Sequence, residues 1–135
     1  MKELVLCYSY TGNTAQLAGA FAEENGLPLC EISTAKNVGK LAAYTLGILK
    51  VFKGAGMPIA PPAVDLSACE TAHIFVPVWA GNIAPPMVSA IAMLPKGAAL
   101  RLHMVSQSGG SDQDMVTKRL QDTGFTVKSY EDIRK

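Results

Sequence analysis

Charge of either sign is scarce in this chain. Charged residues make up 17% of its 135 residues, against about 25% in an average globular domain. The 12 Lys+Arg nearly cancel the 11 Asp+Glu, leaving a formal charge of +1. That balance lacks the basic field that nucleic acid or a polybasic membrane contact requires. Cysteine is also sparse. Cys7, Cys30 and Cys69 form an odd set with no CxxC, which argues against a disulfide scaffold and for a reduced, cytoplasmic protein. Lys, Gly and Pro break every apolar run well before about 18 residues, so no transmembrane helix is expected. Met1-Lys2-Glu3 leads straight into a short apolar run, without the basic region and cleavage site of a signal peptide. Internal repeats and low-complexity tracts are absent.

Apolar residues, in contrast, make up 49%, which excludes a disordered chain. The length suits one domain, residues 1–135, large enough to fold without disulfides or a metal. Strand-like and helix-like segments alternate. Leu4–Tyr8 is a continuous apolar run, as in a strand covered on both faces. Asn13–Glu24 carries Leu17/Phe21 and Ala18/Ala22 at a spacing of four, and Asn25-Gly26 supplies a helix stop. Leu27–Ile32 reads as a second strand. Ser33 or Thr34 can cap an unusually apolar helix to about Lys53, and the Pro/Gly-rich stretch Gly54–Ala63 reads as a loop or a lid. His73–Trp79 is a third strand, Asn82–Pro86 a turn, and Pro85 or Pro86 a helix start. Ala98–Val105 is a fourth strand. Ser111 is the expected cap of a helix ending at Gly124, and Phe125–Lys128 is a fifth strand.

This alternation predicts an α/β domain with a parallel sheet and right-handed crossovers. The last two strands alternate in polarity. Leu100, Leu102 and Met104 oppose Arg101 and His103; Phe125 and Val127 oppose Thr126 and Lys128. Ser129–Lys135 are too few for a covering helix. One face of these strands is therefore expected to lie open to solvent or to a partner subunit.

Ligands of such sheets bind at the carboxyl ends of the strands, where chain order reverses. Three loops fall there: Ser9–Asn13, Ala80–Pro86 and Ser106–Ser111. The first reads Ser9-Tyr10-Thr11-Gly12-Asn13-Thr14. It offers hydroxyls, an amide, a flexible Gly12 and the free N–H groups of a helix start, which together suit an anion. It contains no Lys or Arg, so a phosphate would be held by neutral donors alone. A plain helix cap explains the same residues. Cys7 raises a phosphatase reading, but C-x5-R fails at Asn13 and the phosphate clamp is missing. Tyr8-Ser9 and Val78-Trp79 stand where a phosphoacceptor domain needs carboxylates. Neither GxxxxGK[ST] nor GxGxxG occurs, and Cys69/His73 alone do not make a zinc site.

The order S-x-T-G-N-T after a first strand resembles the FMN phosphate loop of flavodoxins. Pro77-Val78-Trp79-Ala80-Gly81 resembles the strand end whose aromatic residue flanks the isoalloxazine ring in that family. Ser106-Gln107-Ser108-Gly109-Gly110-Ser111 stands at the third flavin loop. The likeness spans about residues 2–130. It implies a doubly wound, five-stranded parallel sheet of order 2-1-3-4-5, here without the C-terminal helix. It also implies non-covalently bound FMN. Ser9, Thr11, Asn13 and Thr14, with backbone N–H groups from Thr11 onward, would hold the phosphate, with Tyr10 and Gly12 in the same loop. Trp79 would stack on the ring unless it is a rim residue packed on the next helix, and Gly81 and Asn82 would meet the ring's polar edge. Gly109 and Gly110 would allow close approach at its pyrimidine end. The chain is shorter and less acidic than a typical flavodoxin, which tells against docking through acidic surface.

Three functional expectations follow. The first is an FMN-dependent electron-transfer protein serving a redox partner protein or a small-molecule acceptor. The second is an NAD(P)H-dependent FMN or quinone reductase. The third is an interaction module that keeps the fold without the cofactor. No nucleic acid or membrane is implied, and the apolar 36–53 helix leaves a homodimer open.

Overall fold

The computed structural model of the chain describes residues 3–8, 12–33, 59, 66–79, 82–106 and 110–134. The apolar run near the N-terminus forms strand β1 (Glu3–Tyr8), in which Val5, Leu6 and Cys7 are fully buried. Such burial on both faces explains why the run does not alternate. Helix α1 (Asn13–Asn25) follows and ends at Gly26, whose left-handed φ of 64° lets its N–H reach Ala22 and Glu23 carbonyls. Strand β2 (Leu29–Ile32) is shorter than the Leu27–Ile32 expected. Strand β3 (Thr71–Trp79) is followed by a two-residue strand β4 (Asn82–Ile83) and helix α2 (Pro85–Ile91). Strand β5 (Ala99–Ser106), helix α3 (Gln113–Asp122) and strand β6 (Thr126–Arg134) follow. The expected 36–53 helix and 54–63 loop lie outside the described residues, apart from Ile59, which packs against the core.

Five strands run parallel in the order β2-β1-β3-β5-β6, and β4 turns back antiparallel onto β3. Counting the parallel strands alone, this is 2-1-3-4-5. Helices cover both faces. Ala18 and Ala22 of α1 pack on Val5, Cys7 and Phe75. On the other face α2 and α3 bury Leu6, Ile74, Val76, Leu100, Leu102 and Met104, all 0% exposed, beneath Met87, Ile91 and Val116.

Three expectations need correction. Asn82–Pro86 is not a plain turn, because Trp79 pairs with Asn82 and Val78 with Ile83 in a ladder. The cap of α3 is Asp112, whose carboxylate accepts the Met115 N–H at 3.2 Å, and not Ser111. The last strand does not stop at Lys128. The register shifts where Lys128 of β6 stands as an extra residue opposite the Leu100–Arg101 step of β5, and β6 continues until Arg134 pairs with Ser106.

The face bearing Arg101, Ser129 and Glu131 is exposed, and no helix follows β6 among the described residues. Each of the two histidines there meets a carboxylate through one ring nitrogen: His73 Nε2 contacts the Glu3 carboxylate, and His103 Nδ1 lies 2.5 Å from Glu131 Oε1. The His103 ring stacks on Phe75 at 4.2 Å and 6°.

Candidate functional site

Parallel pairing places the carboxyl ends of β1, β3 and β5 along one edge of the sheet. The register aligns Tyr8 with the level of Val76 and Met104, and Pro77 opposite Val105. β1 lies between β2 and β3, so the chain leaves β1 one way and returns the other. The edge between β1 and β3 is the reversal point where open α/β sheets bind ligands.

The first loop meets this edge at the start of α1. Gly12 is the N-cap, with a left-handed φ of 98° that a side chain would strain. No side chain among the described residues caps the helix, and its first turn holds no acidic residue. The first turn itself thus sets no carboxylate against the positive end of α1. Asn13 is half-buried and Thr14 buried, at the first two positions of α1. Ser9, Tyr10 and Thr11 lie outside the described residues.

A cleft of about 340 Å³ adjoins this helix start, lined by Cys7, Gly12, Ala15, Glu31, Ile32 and Ser33. It lies on the β2 side of α1, and among the described residues Gly12 is the one expected ligand residue that lines it. No basic residue lines it among the described residues. Burial, with the nearby Glu31 carboxylate and Cys30, pushes the Cys7 thiol up to about 12. Cys7 is a neutral core residue, and a thiolate nucleophile has no support.

In the second segment, Pro77 and Val78 are half-buried within β3. Trp79 ends β3 and Asn82 begins β4, paired across the ladder. Ala80 and Gly81 lie outside the described residues. In the third, Ser106 is the buried last residue of β5, and Gly110 has a left-handed φ of 72°. Gln107, Ser108 and Gly109 lie outside the described residues. The fold thus brings the described parts of all three segments to one edge.

Two residues outside the expected set join them. Tyr130 and Asp132 of β6 flank the third segment. Asp132 Oδ1 accepts the Ser111 hydroxyl at 2.6 Å and the Ser111 N–H at 3.1 Å, and Tyr130 OH shares the same hydroxyl. Burial raises the Tyr130 phenol above its ordinary value. The bond with Ser111 opposes that shift, and the Asp132 and Asp112 carboxylates add to it. The C-x3-H pair forms no metal site: Cys69 donates to the Thr71 carbonyl and His73 faces Glu3. No cluster of three metal-ligating side chains occurs among the described residues.

No protein-family profile and no curated protein sequence matches the chain. Solved structures do. A flavoprotein from Lactobacillus acidophilus in complex with FMN superposes with a TM-score of 0.75 at 19% identity, over 97% of this chain and 92% of that one. A protein assigned as a flavoprotein from Bacteroides uniformis gives 0.77 at 21% identity, over 97% and 88%. A flavodoxin from the domain Archaea gives 0.57 at 16% identity, over 99% and 85%. The chain has the flavodoxin-like fold.

Proposed function

We propose that this protein binds FMN non-covalently at the β1–β3 edge and works as a flavodoxin-like redox protein. The observation that carries this reading is the start of α1. A helix N-terminus with no acidic residue in its first turn, and no side-chain cap among the described residues, opens at the reversal point of the sheet, in the same fold as an FMN-complexed flavoprotein. The donor set fits the group. Asn13, Thr14 and the N–H groups of the first helical turn, with Ser9, Thr11 and the rest of the Ser9–Thr14 loop, supply neutral donors to a dianionic phosphate. Gly12 leaves its side-chain space open, with no described atom within 4 Å of an added Cβ. Pro77, Val78, Trp79, Ala80, Gly81 and Asn82 supply the wall for the ring, with Trp79 offering a large apolar face. Ser106, Gln107, Ser108, Gly109 and Gly110 supply backbone groups for its pyrimidine edge. FMN bound there supplies the electron chemistry, and no side chain need act as an acid or base.

Changing Thr11 and Thr14 to Ala together tests the phosphate assignment. Two lost bonds to a charged group cost at least about 3 kcal/mol together, a roughly hundredfold rise in Kd for FMN. An unchanged Kd contradicts the assignment.

The near-neutral charge favours a second reading, a reductase acting on a quinone or other small acceptor, because a carrier docking through charge needs a one-signed surface. Anaerobic mixing of the FMN-loaded protein with NADH or NADPH separates the two. Rapid bleaching of the flavin bands supports the reductase, and its absence supports the carrier.

A further inference from the structure

The network between Ser111 and β6 has no role in starting α3, because Asp112 already caps that helix. It is also more than a chance surface contact. Asp132 takes both the backbone N–H and the hydroxyl of Ser111, and the half-buried Tyr130 engages that hydroxyl from the same strand. Next in the chain, Gly110 lies against the Asp132 carboxylate. A Cβ built there would stand 3.7–3.8 Å from its atoms, and φ is +72°. These contacts depend on β6 running past Lys128, where the resumed register puts Tyr130 opposite Leu102 and Asp132 opposite Met104. β6 therefore holds the described flanks of the third segment, Ser106 by pairing with Arg134 and Ser111 by its bonds to Asp132.

We propose that Ser111, Tyr130 and Asp132 form a latch that pre-sets the Gly110 backbone for the flavin ring, with Tyr130 and Asp132 as positioning residues that need not touch the ligand. The inference rests on the FMN reading above. Backbone fixed at Gly110 before binding does not spend binding energy on ordering, so the latch contributes to affinity through preorganisation. Its contribution belongs to the ring and not to the phosphate. Losing it weakens riboflavin and FMN by the same factor, whereas loss of phosphate donors weakens FMN alone.

The test measures Kd for both flavins, by quenching of flavin fluorescence, on the full chain and on S111A, S111T, D132N and Y130F. Ser111→Ala and Asp132→Asn are expected to weaken both ligands by roughly tenfold and equally. They should also shift the visible absorption bands of the bound flavin. Ser111→Thr restores the hydroxyl and with it the affinity. Tyr130→Phe removes one oxygen only, and gives a smaller change in the same direction even where Asp132→Asn fails to fold. Affinities within twofold of the unaltered protein in S111A and Y130F overturn the latch, as does a loss confined to FMN. Failure of the unaltered chain to bind either flavin overturns the functional reading itself, a result distinct from both.

Discussion

Cys7 and Gly12 stand five residues apart and set what the first strand-end segment is able to do. Burial holds the Cys7 thiol near 12, above its ordinary 9.0. The folded state thus keeps a proton that the unfolded chain loses. Its contribution to stability is complete below about pH 9 and is lost as pH rises toward 12. Two results follow. Native protein at pH 8 leaves Cys7 unmodified by iodoacetamide, and unfolded protein does not. In Cys7→Ala the alkaline fall in stability, followed by denaturant midpoint against pH, is shallower than in the unaltered chain. At Gly12 the constraint is conformational. An alanine meets no described atom within 4 Å, but must adopt φ near +98°. Gly12→Ala is expected to cost on the order of 1 kcal/mol in urea unfolding. No cost at all would mean that the segment relaxes to another backbone.

Among the elements, α3 shows how neighbouring polar residues divide their labour. Asp112 caps the helix and Ser111 serves β6. Asp112→Ala should lower stability by about 1 kcal/mol and leave flavin affinity unchanged, with urea unfolding and flavin titration as the two readouts. On the covered face of β5, Leu102→Ala empties a fully buried site and is expected to cost about 2–5 kcal/mol. Periodicity made most elements legible in the sequence. β1 is an unbroken apolar run, α1 repeats every four residues, and β5 alternates. The remainder depended on contacts distant in the chain. Ser129-Tyr130-Glu131-Asp132 is too polar to read as a strand, yet pairing with β5 extends β6 through it. Ser111 is as good a cap as Asp112 locally, and only a carboxylate 21 residues away draws it off. β4 spans two residues, too short for any pattern. For the same reason Tyr130 and Asp132 were absent from the expected site. Their alternation with the outward-facing Ser129 and Glu131 was the one available signal.

Across the whole molecule, one sheet edge gathers what the chain has to offer a ligand, while the opposite flank of β5 and β6 stays exposed. No helix among the described residues is long and apolar enough to cross a membrane. The site therefore depends on the strand order, which brings segments about 70 and 95 positions apart to the same edge. The most direct test is to mix the purified chain with a slight excess of FMN and pass it through gel filtration while recording absorbance at flavin wavelengths. Yellow protein is expected, with close to one flavin per chain and quenched fluorescence. Colourless protein, with all of the FMN eluting at the small-molecule volume, contradicts it.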